Sequence, residues 1–246
     1  MFIKESIDKI FGNQKIKKLL RKLFGFRYFK FFIHISRYRA CHMVDPGDNC
    51  ILAGIFSEDT VKDFTSQVGN AGKVIVVEAN KKNVERLKSR VAHPNLYYVN
   101  CAVYGKSGTS KFIASRGDEQ GYNRLKNGEM QPFPYHIDAD PQEITVKLAT
   151  LDNITMKLGV KRIHHINLTI NGAEYQALDG ISEVIKKNRN LRIYTNSEFP
   201  NPGKKVIEKL QKMGFEVYTS RLIRTINKRI KLRRIYAVHN NTPLEK

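Results

Sequence analysis

Residues Gly72–Leu87 read GKVIVVEANKKNVERL: an apolar β-run stops at a single carboxylate, Glu78, and a helix begins almost at once. Four consecutive β-branched residues, Val74 to Val77, lack the alternation of a half-exposed strand, so both faces of this one must be covered, as in a parallel sheet. After the turn Ala79-Asn80, Val84, Leu87 and Val91 recur at helical spacing among Lys81, Lys82, Glu85, Arg86 and Lys88. The preceding segment repeats the plan. A strand Cys50–Ala53 runs into Gly54, Ser57 is a suitable N-cap, and a helix follows from about Glu58 to Val68. In doubly wound sheets ligands lie beyond the carboxyl ends of the strands, so Gly54 and Glu78 are expected to share one crevice, with the carboxylate suited to a ribose diol. Glu58 and Asp59 in the first helical turn favour the helix dipole and repel phosphate, which disfavours a dinucleotide.

Four stretches continue the pattern: AGIFSEDTVKDFTSQVGNAGKVIVVEANKKNVERL from Ala53, LYYVNCAVYGKSGTSKF from Leu96, VKLATLDNI from Val146 and IHHINLTINGAEYQALDGI from Ile163. On these, from about Asp48 to Tyr236, the sequence resembles the FkbM family of S-adenosylmethionine-dependent methyltransferases. The resemblance implies a Rossmann-like α/β class I methyltransferase fold, with a mostly parallel seven-stranded sheet, helices on both faces and a C-terminal antiparallel hairpin. It places Gly54 on the cofactor loop, Glu78 on the acid that holds the ribose hydroxyls, Asn100, Cys101, Ala102 and Val103 on the turn near the adenine, Asp152 on a TLD box, and Gly172, Ala173 and Glu174 on a GAE turn, with Ala79 among the cofactor-binding candidates. The chain departs from the family pattern at Leu52 and Glu58, and again where a strand reading roughly KIDVEGAE would put lysine, aspartate and glutamate. Asn167, Thr169 and Asn171 stand there. Neither Thr169 nor Asn171 titrates near neutral pH, which removes two candidate bases and any carboxylate cation site. No metal is expected. Methyl transfer from a sulfonium depends chiefly on positioning, and the candidate bases are His164, His165, His136 and Asp152.

The residues themselves agree with that fold. Strands are expected at about Asn49–Ala53, Lys73–Glu78, Leu96–Val99, Ala102–Tyr104, Ile163–Leu168 and Leu191–Thr195, and helices at Glu174–Lys187 and Lys204–Lys212. Phe215–Thr219 and Arg234–His239 alternate like a terminal hairpin. Residues 105–143 read as a loop-rich insertion bearing Pro132, Pro134 and Pro141. Its Tyr122, Asn123 and Arg124, with Glu174, are the candidate acceptor-binding residues.

The formal net charge of +20 is concentrated. Residues 1–40 and 204–234 each carry eleven Lys or Arg against two acids, a net of +9 apiece. Residues 1–40 form a basic amphipathic extension to a domain spanning 41–246, with Ile16, Leu19, Leu20, Leu23 and Phe24 on one helical face. It suits either a lid on the domain or the surface of an anionic membrane. Three cysteines without metal-ligand spacing and the lack of a signal-type h-region point to the cytoplasm, with peripheral contact at the inner membrane face. Nucleic acid is disfavoured, because no recognition module is legible. The functional expectation is an O-methyltransferase using S-adenosylmethionine on a hydroxyl of a sugar, glycan, lipid-linked or small-metabolite acceptor. The alternatives are a methyltransferase-like scaffold that has lost its chemistry and, behind it, an RNA-modifying enzyme.

Overall fold

The computed structural model describes residues 16, 19, 40–55, 57–115, 123–126, 141–188, 190–198, 202–220, 223–225 and 230–239. Strands β1 (Asn49–Ala53) and β2 (Lys73–Glu78) pair in parallel, each followed by a helix, α1 (Glu58–Val68) and α2 (Lys81–Arg90). Both helices start on a side-chain cap. Ser57 Oγ accepts from the Thr60 amide, and Asn80 Oδ1 from that of Lys82. β3 (Leu96–Asn100) extends the parallel sheet beyond β2, while β8 (His165–Leu168) and then β9 (Arg192–Glu198) extend it on the other side of β1. β12 (Ile230–His239) runs antiparallel between β9 and β10 (Phe215–Thr219), completing a seven-strand path β10-β12-β9-β8-β1-β2-β3. A short β11 (Ile223–Thr225) pairs with β12 as an eighth strand off that path.

The β-branched run behaves as its lack of alternation requires. Val74 and Val76 enter a core with Leu52, Val61, Phe64 and Tyr236 on one face, whereas Ile75 and Val77 enter a second core on the other. That second face is covered by α3 (Leu151–Lys157), α4 (Glu174–Ala177), α5 (Ser182–Lys187) and α6 (Gly203–Lys212).

Three expectations change. The helix expected over 174–187 is broken into α4, a 3-10 turn Leu178–Gly180 and α5. Gly180 passes so close to Thr150 that an added Cβ would lie 2.7 Å from the Thr150 Cβ. The loop-rich segment 105–143 contains β5 (Gly108–Ala114) and β6 (Arg124–Leu125). With β4 (Ala102–Val103) and β7 (Gln142–Ala149) these build a separate four-stranded sheet, β4-β7-β5-β6, whose buried face holds Phe112, Leu125, Val146 and Leu148. Ala102 therefore belongs to this second sheet and not to the main one.

At the amino edge of the main sheet Arg192, 3% exposed, donates to Asp48 at 2.7 Å, to the His164 carbonyl at 3.1 Å and to the carbonyl of Met43. Asp48 also accepts from the Asp45 amide at 2.7 Å, so the pair fixes the 3-10 turn Ala40–Met43 against β9. Removing one partner of a buried pair strands the other charge. Arg192→Met is expected to lower the urea-unfolding free energy by about 3 kcal/mol, and the double variant with Asp48→Asn to recover part of that loss. A loss in the double variant equal to the sum of the losses in Arg192→Met and Asp48→Asn alone would show that the charges are not coupled.

Candidate functional site

The strand order reverses direction between β1 and β8, the place where an open α/β sheet leaves a crevice at its carboxyl edge. β1 leaves the sheet there through Gly54, at φ 75°. Its amide donates to the Val77 carbonyl at 2.9 Å, and the Thr169 amide donates to the Ala53 carbonyl at 3.1 Å. A Cβ at position 54 would lie 2.2 Å from the Thr169 carbonyl oxygen, so only glycine permits this close approach.

One strand away β2 ends at Glu78, which is 5% exposed and lines a narrow cavity of about 40 Å³ shared with Gly54, Ala79, Cys101, Ala102 and Asn123. Burial pushes the Glu78 carboxyl up to about 7, opposed by the Asn80 amide donating to Oε1 at 2.8 Å, by Asn83 and by the Arg86 cation. Burial likewise pushes the Cys101 thiol up to about 11, so it stays neutral. Asn123 bridges the two sheets: its Oδ1 accepts from the Ser115 amide at 2.7 Å, and its carbonyl from Asn171 Nδ2 at 2.8 Å. Its own Nδ2 is buried with no hydrogen-bond partner, a donor awaiting an acceptor. Asn100 holds the turn from beneath, Nδ2 donating to the carbonyls of Glu78 and Ala79 at 2.9 Å each.

A second, more open cleft of about 360 Å³ shares Gly54, Thr169 and Asn171 with the cavity and lies on the α1 face of the sheet. Ser57, Thr60 and Asp63 of the α1 end, Asn167 of β8, Tyr194 and Asn196 of β9 and Arg234 of β12 line it.

Several expected site residues lie elsewhere. His164 and His165 sit at the amino end of β8, the edge opposite the crevice. His164 Nδ1 accepts from the Asn49 amide at 2.9 Å, and burial, the largest influence, moves its pKa down. The ring is therefore neutral, and its 3.8 Å approach to Asp48 is not an ion pair. His165 is fully buried against Phe64, ring centroids 5.4 Å apart. Asp152 caps α5, accepting from the amides of Val184 at 2.9 Å and Glu183 at 3.1 Å. Glu174 accepts from the amides of Ile170 at 3.2 Å and Gly172 at 2.8 Å, and burial pushes it up to about 7. It shapes the Ile170–Gly172 turn, in which Asn171 has φ 53°, and does not line either space. Arg124 is half-buried in β6, outside both linings, while Tyr122 and His136 lie outside the described residues. Asn196, Arg234 and Asp63 were not singled out by sequence, although the pairing of β9 with β12 could have aligned Asn196 with Arg234. Among the described residues no group of three or more His, Cys, Asp or Glu converges to hold a metal.

The residues fit S-adenosylmethionine: a buried carboxyl at the β2 end, an unpartnered amide donor in the same cavity and a glycine-only crossing in its wall. Among solved structures the chain is similar to a Thermotoga maritima S-adenosylmethionine-dependent O-methyltransferase (14% identity, TM-score 0.45), covering 80% of this chain and 61% of that one. It is similar also to Aeropyrum pernix fibrillarin with natively bound S-adenosyl-L-methionine (12%, TM-score 0.48, 85% and 72% covered) and to a Streptococcus thermophilus rRNA methylase (9%, TM-score 0.48, 83% and 99% covered). No curated protein matches it in sequence. The family model of the methyltransferase FkbM domain matches residues 41–217, well over half of the sequence. The chain thus belongs to the FkbM family of S-adenosylmethionine-dependent methyltransferases.

Proposed function

We propose that this protein methylates a hydroxyl oxygen of a sugar, glycan, lipid-linked or small-metabolite acceptor. The observation that supports the reading most directly is the buried Glu78 at the β2 end, in a cavity that meets an open cleft at Gly54, Thr169 and Asn171. When bound, S-adenosylmethionine supplies an activated methyl group on a sulfonium. The chain's own residues have four tasks. Glu78 accepts the ribose hydroxyls, Asn123 Nδ2 donates to a ring nitrogen of adenine, and the walls hold the acceptor oxygen in line. Asp63, a carboxylate in the lining of the open cleft, takes the role of proton acceptor that the histidines at the far edge cannot fill.

Residues 1–40 are the proposed contact with an anionic membrane at the cytoplasmic face, with most of that segment outside the described residues. Ile16 and Leu19, one helical turn apart, are both helical and exposed, Leu19 at 54%. Among the described residues no helix is long and apolar enough to cross a membrane.

S-adenosylhomocysteine is expected to bind with a Kd of roughly micromolar order by calorimetry, and Glu78→Ala and Asn123→Ala each to weaken it about tenfold through the loss of buried hydrogen bonds. No binding to the wild-type protein would sink the reading. A carboxylate accepts two ribose donors better than a protonated carboxyl does, so a folded pKa near 7 makes affinity fall as pH drops from 8 to 6. Glu78→Gln should flatten that slope, and an unchanged slope would remove Glu78 from the site. Sedimentation with phosphatidylglycerol vesicles is expected for the wild type and should fall in the double variant Ile16→Asp, Leu19→Asp. Equal sedimentation of both proteins would exclude this helical face as the contact.

A further inference from the structure

We infer that the open cleft on the α1 face is the acceptor site and that it takes an uncharged, hydroxyl-rich ring, a glycoside. This rests on the methyltransferase reading above and narrows it.

Sheet register assembles the wall. Ala53 pairs with Leu168 and Leu168 with Thr195, so Gly54, Thr169 and Asn196 follow one another across the carboxyl edge, and Asn196 pairs with Arg234. Two residues inward, Leu52, Asn167, Tyr194 and Tyr236 form the next row by the same pairings. Residues two apart on a strand project from the same face, so Asn167 lies directly beneath the Thr169 position. Ser57, Thr60 and Asp63 of the α1 end form the opposite wall.

Asn167 points to the ligand chemistry. It is 3% exposed, it lines the cleft, and its Oδ1 has no hydrogen-bond partner. A buried amide oxygen left in this state is destabilising, and a ligand donor relieves the cost. A phosphate or carboxylate carries acceptors only and cannot supply that donor. A hydroxyl can, and the remaining lining asks for both functions. Asn196 Oδ1 is already held by the Tyr194 hydroxyl at 2.9 Å, which fixes which end of that amide is the acceptor. Thr60 and Ser57 add hydroxyls, and the two charged lining residues, Asp63 and Arg234, are of opposite sign. A ring whose every hydroxyl both donates and accepts matches such a surface. Because Gly54, Thr169 and Asn171 line both spaces, a hydroxyl seated on Asn167 lies next to the cofactor cavity.

The test is to load the full chain with S-adenosylhomocysteine and titrate it with methyl glycosides of glucose, mannose, galactose and rhamnose, following binding by saturation-transfer NMR and calorimetry. At least one glycoside is expected to bind. Asn167→Leu, which keeps the γ-branched shape and removes the acceptor, should weaken it about tenfold or more while leaving S-adenosylhomocysteine affinity within about twofold. Asn196→Ala serves the same purpose should Asn167→Leu fail to fold. Cofactor-product binding without any glycoside binding would overturn the proposal and leave the methyltransferase reading standing. A loss of S-adenosylhomocysteine affinity as large as the loss for the glycoside would overturn it too, by assigning Asn167 to the cofactor. If S-adenosylhomocysteine fails to bind the wild type, both readings fall together.

Discussion

The contact on which the rest depends is the passage of Gly54 against the Thr169 carbonyl. β1 and β8 are the central pair of the sheet, and their carboxyl ends must separate for the chain to enter α1 on one side and the Ile170–Gly172 turn on the other. With any side chain at position 54 the two backbones would have to part, since its Cβ would overlap a carbonyl oxygen held in place by the β1–β8 ladder. The cavity at Glu78 and the cleft at Asn167 both have Gly54 and Thr169 in their walls, so a single displacement would deform both. Glu174 secures the far side of the crossing by accepting two amides of the turn, where Asn171 sits at positive φ. The turn is thus fixed by a buried carboxyl that lines neither space.

What was legible in the sequence follows from how local the signal is. β2, Glu78 and α2 are found where they are expected because four β-branched residues, a terminal acid and the Asn80 cap all act within a few residues. The second sheet was less legible. Gln142–Ala149 does alternate, burying Val146 and Leu148, but its partner β5 lies across a long segment punctuated by three glycines and three prolines. The adjacent histidines illustrate a different limit. Alternation predicts that one of the pair points inward, and His165 does, yet the end of the strand matters more than the face. Ligands meet a parallel sheet at its carboxyl ends, and residues that open a strand lie at the wrong edge whichever way they point.

Two departures from the family pattern have local structural reasons. Leu52 is fully buried in the core between the sheet and α1, where an unpaired carboxylate would be costly. Glu58, in place of a loop glycine, accepts from Arg86 and Arg90 at 3.0 Å each and so ties α1 to α2 across the top of β2. Such partly exposed pairs contribute modestly to stability. Their effect here is geometric, because Arg86 also stands close enough to Glu78 to favour its ionised form against burial.

The remaining departures, Asn167, Thr169 and Asn171, act together. All three line the open cleft, two of them also line the cavity, and all three are uncharged where the family pattern carries a lysine and two acids. For a reaction that discharges a sulfonium, a carboxylate fixed at position 169 or 171 would hold the charged starting state more firmly than a transition state in which that charge is already dispersing. Interactions of that kind tighten binding without speeding the chemical step. Neutral amide and hydroxyl groups avoid this penalty and keep the capacity to hydrogen-bond. The loss of charge at these positions is therefore compatible with retained methyl transfer. On the proposed reading the cleft selects by matching donors and acceptors instead of by charge, and the unpartnered oxygen of Asn167 sets the first requirement.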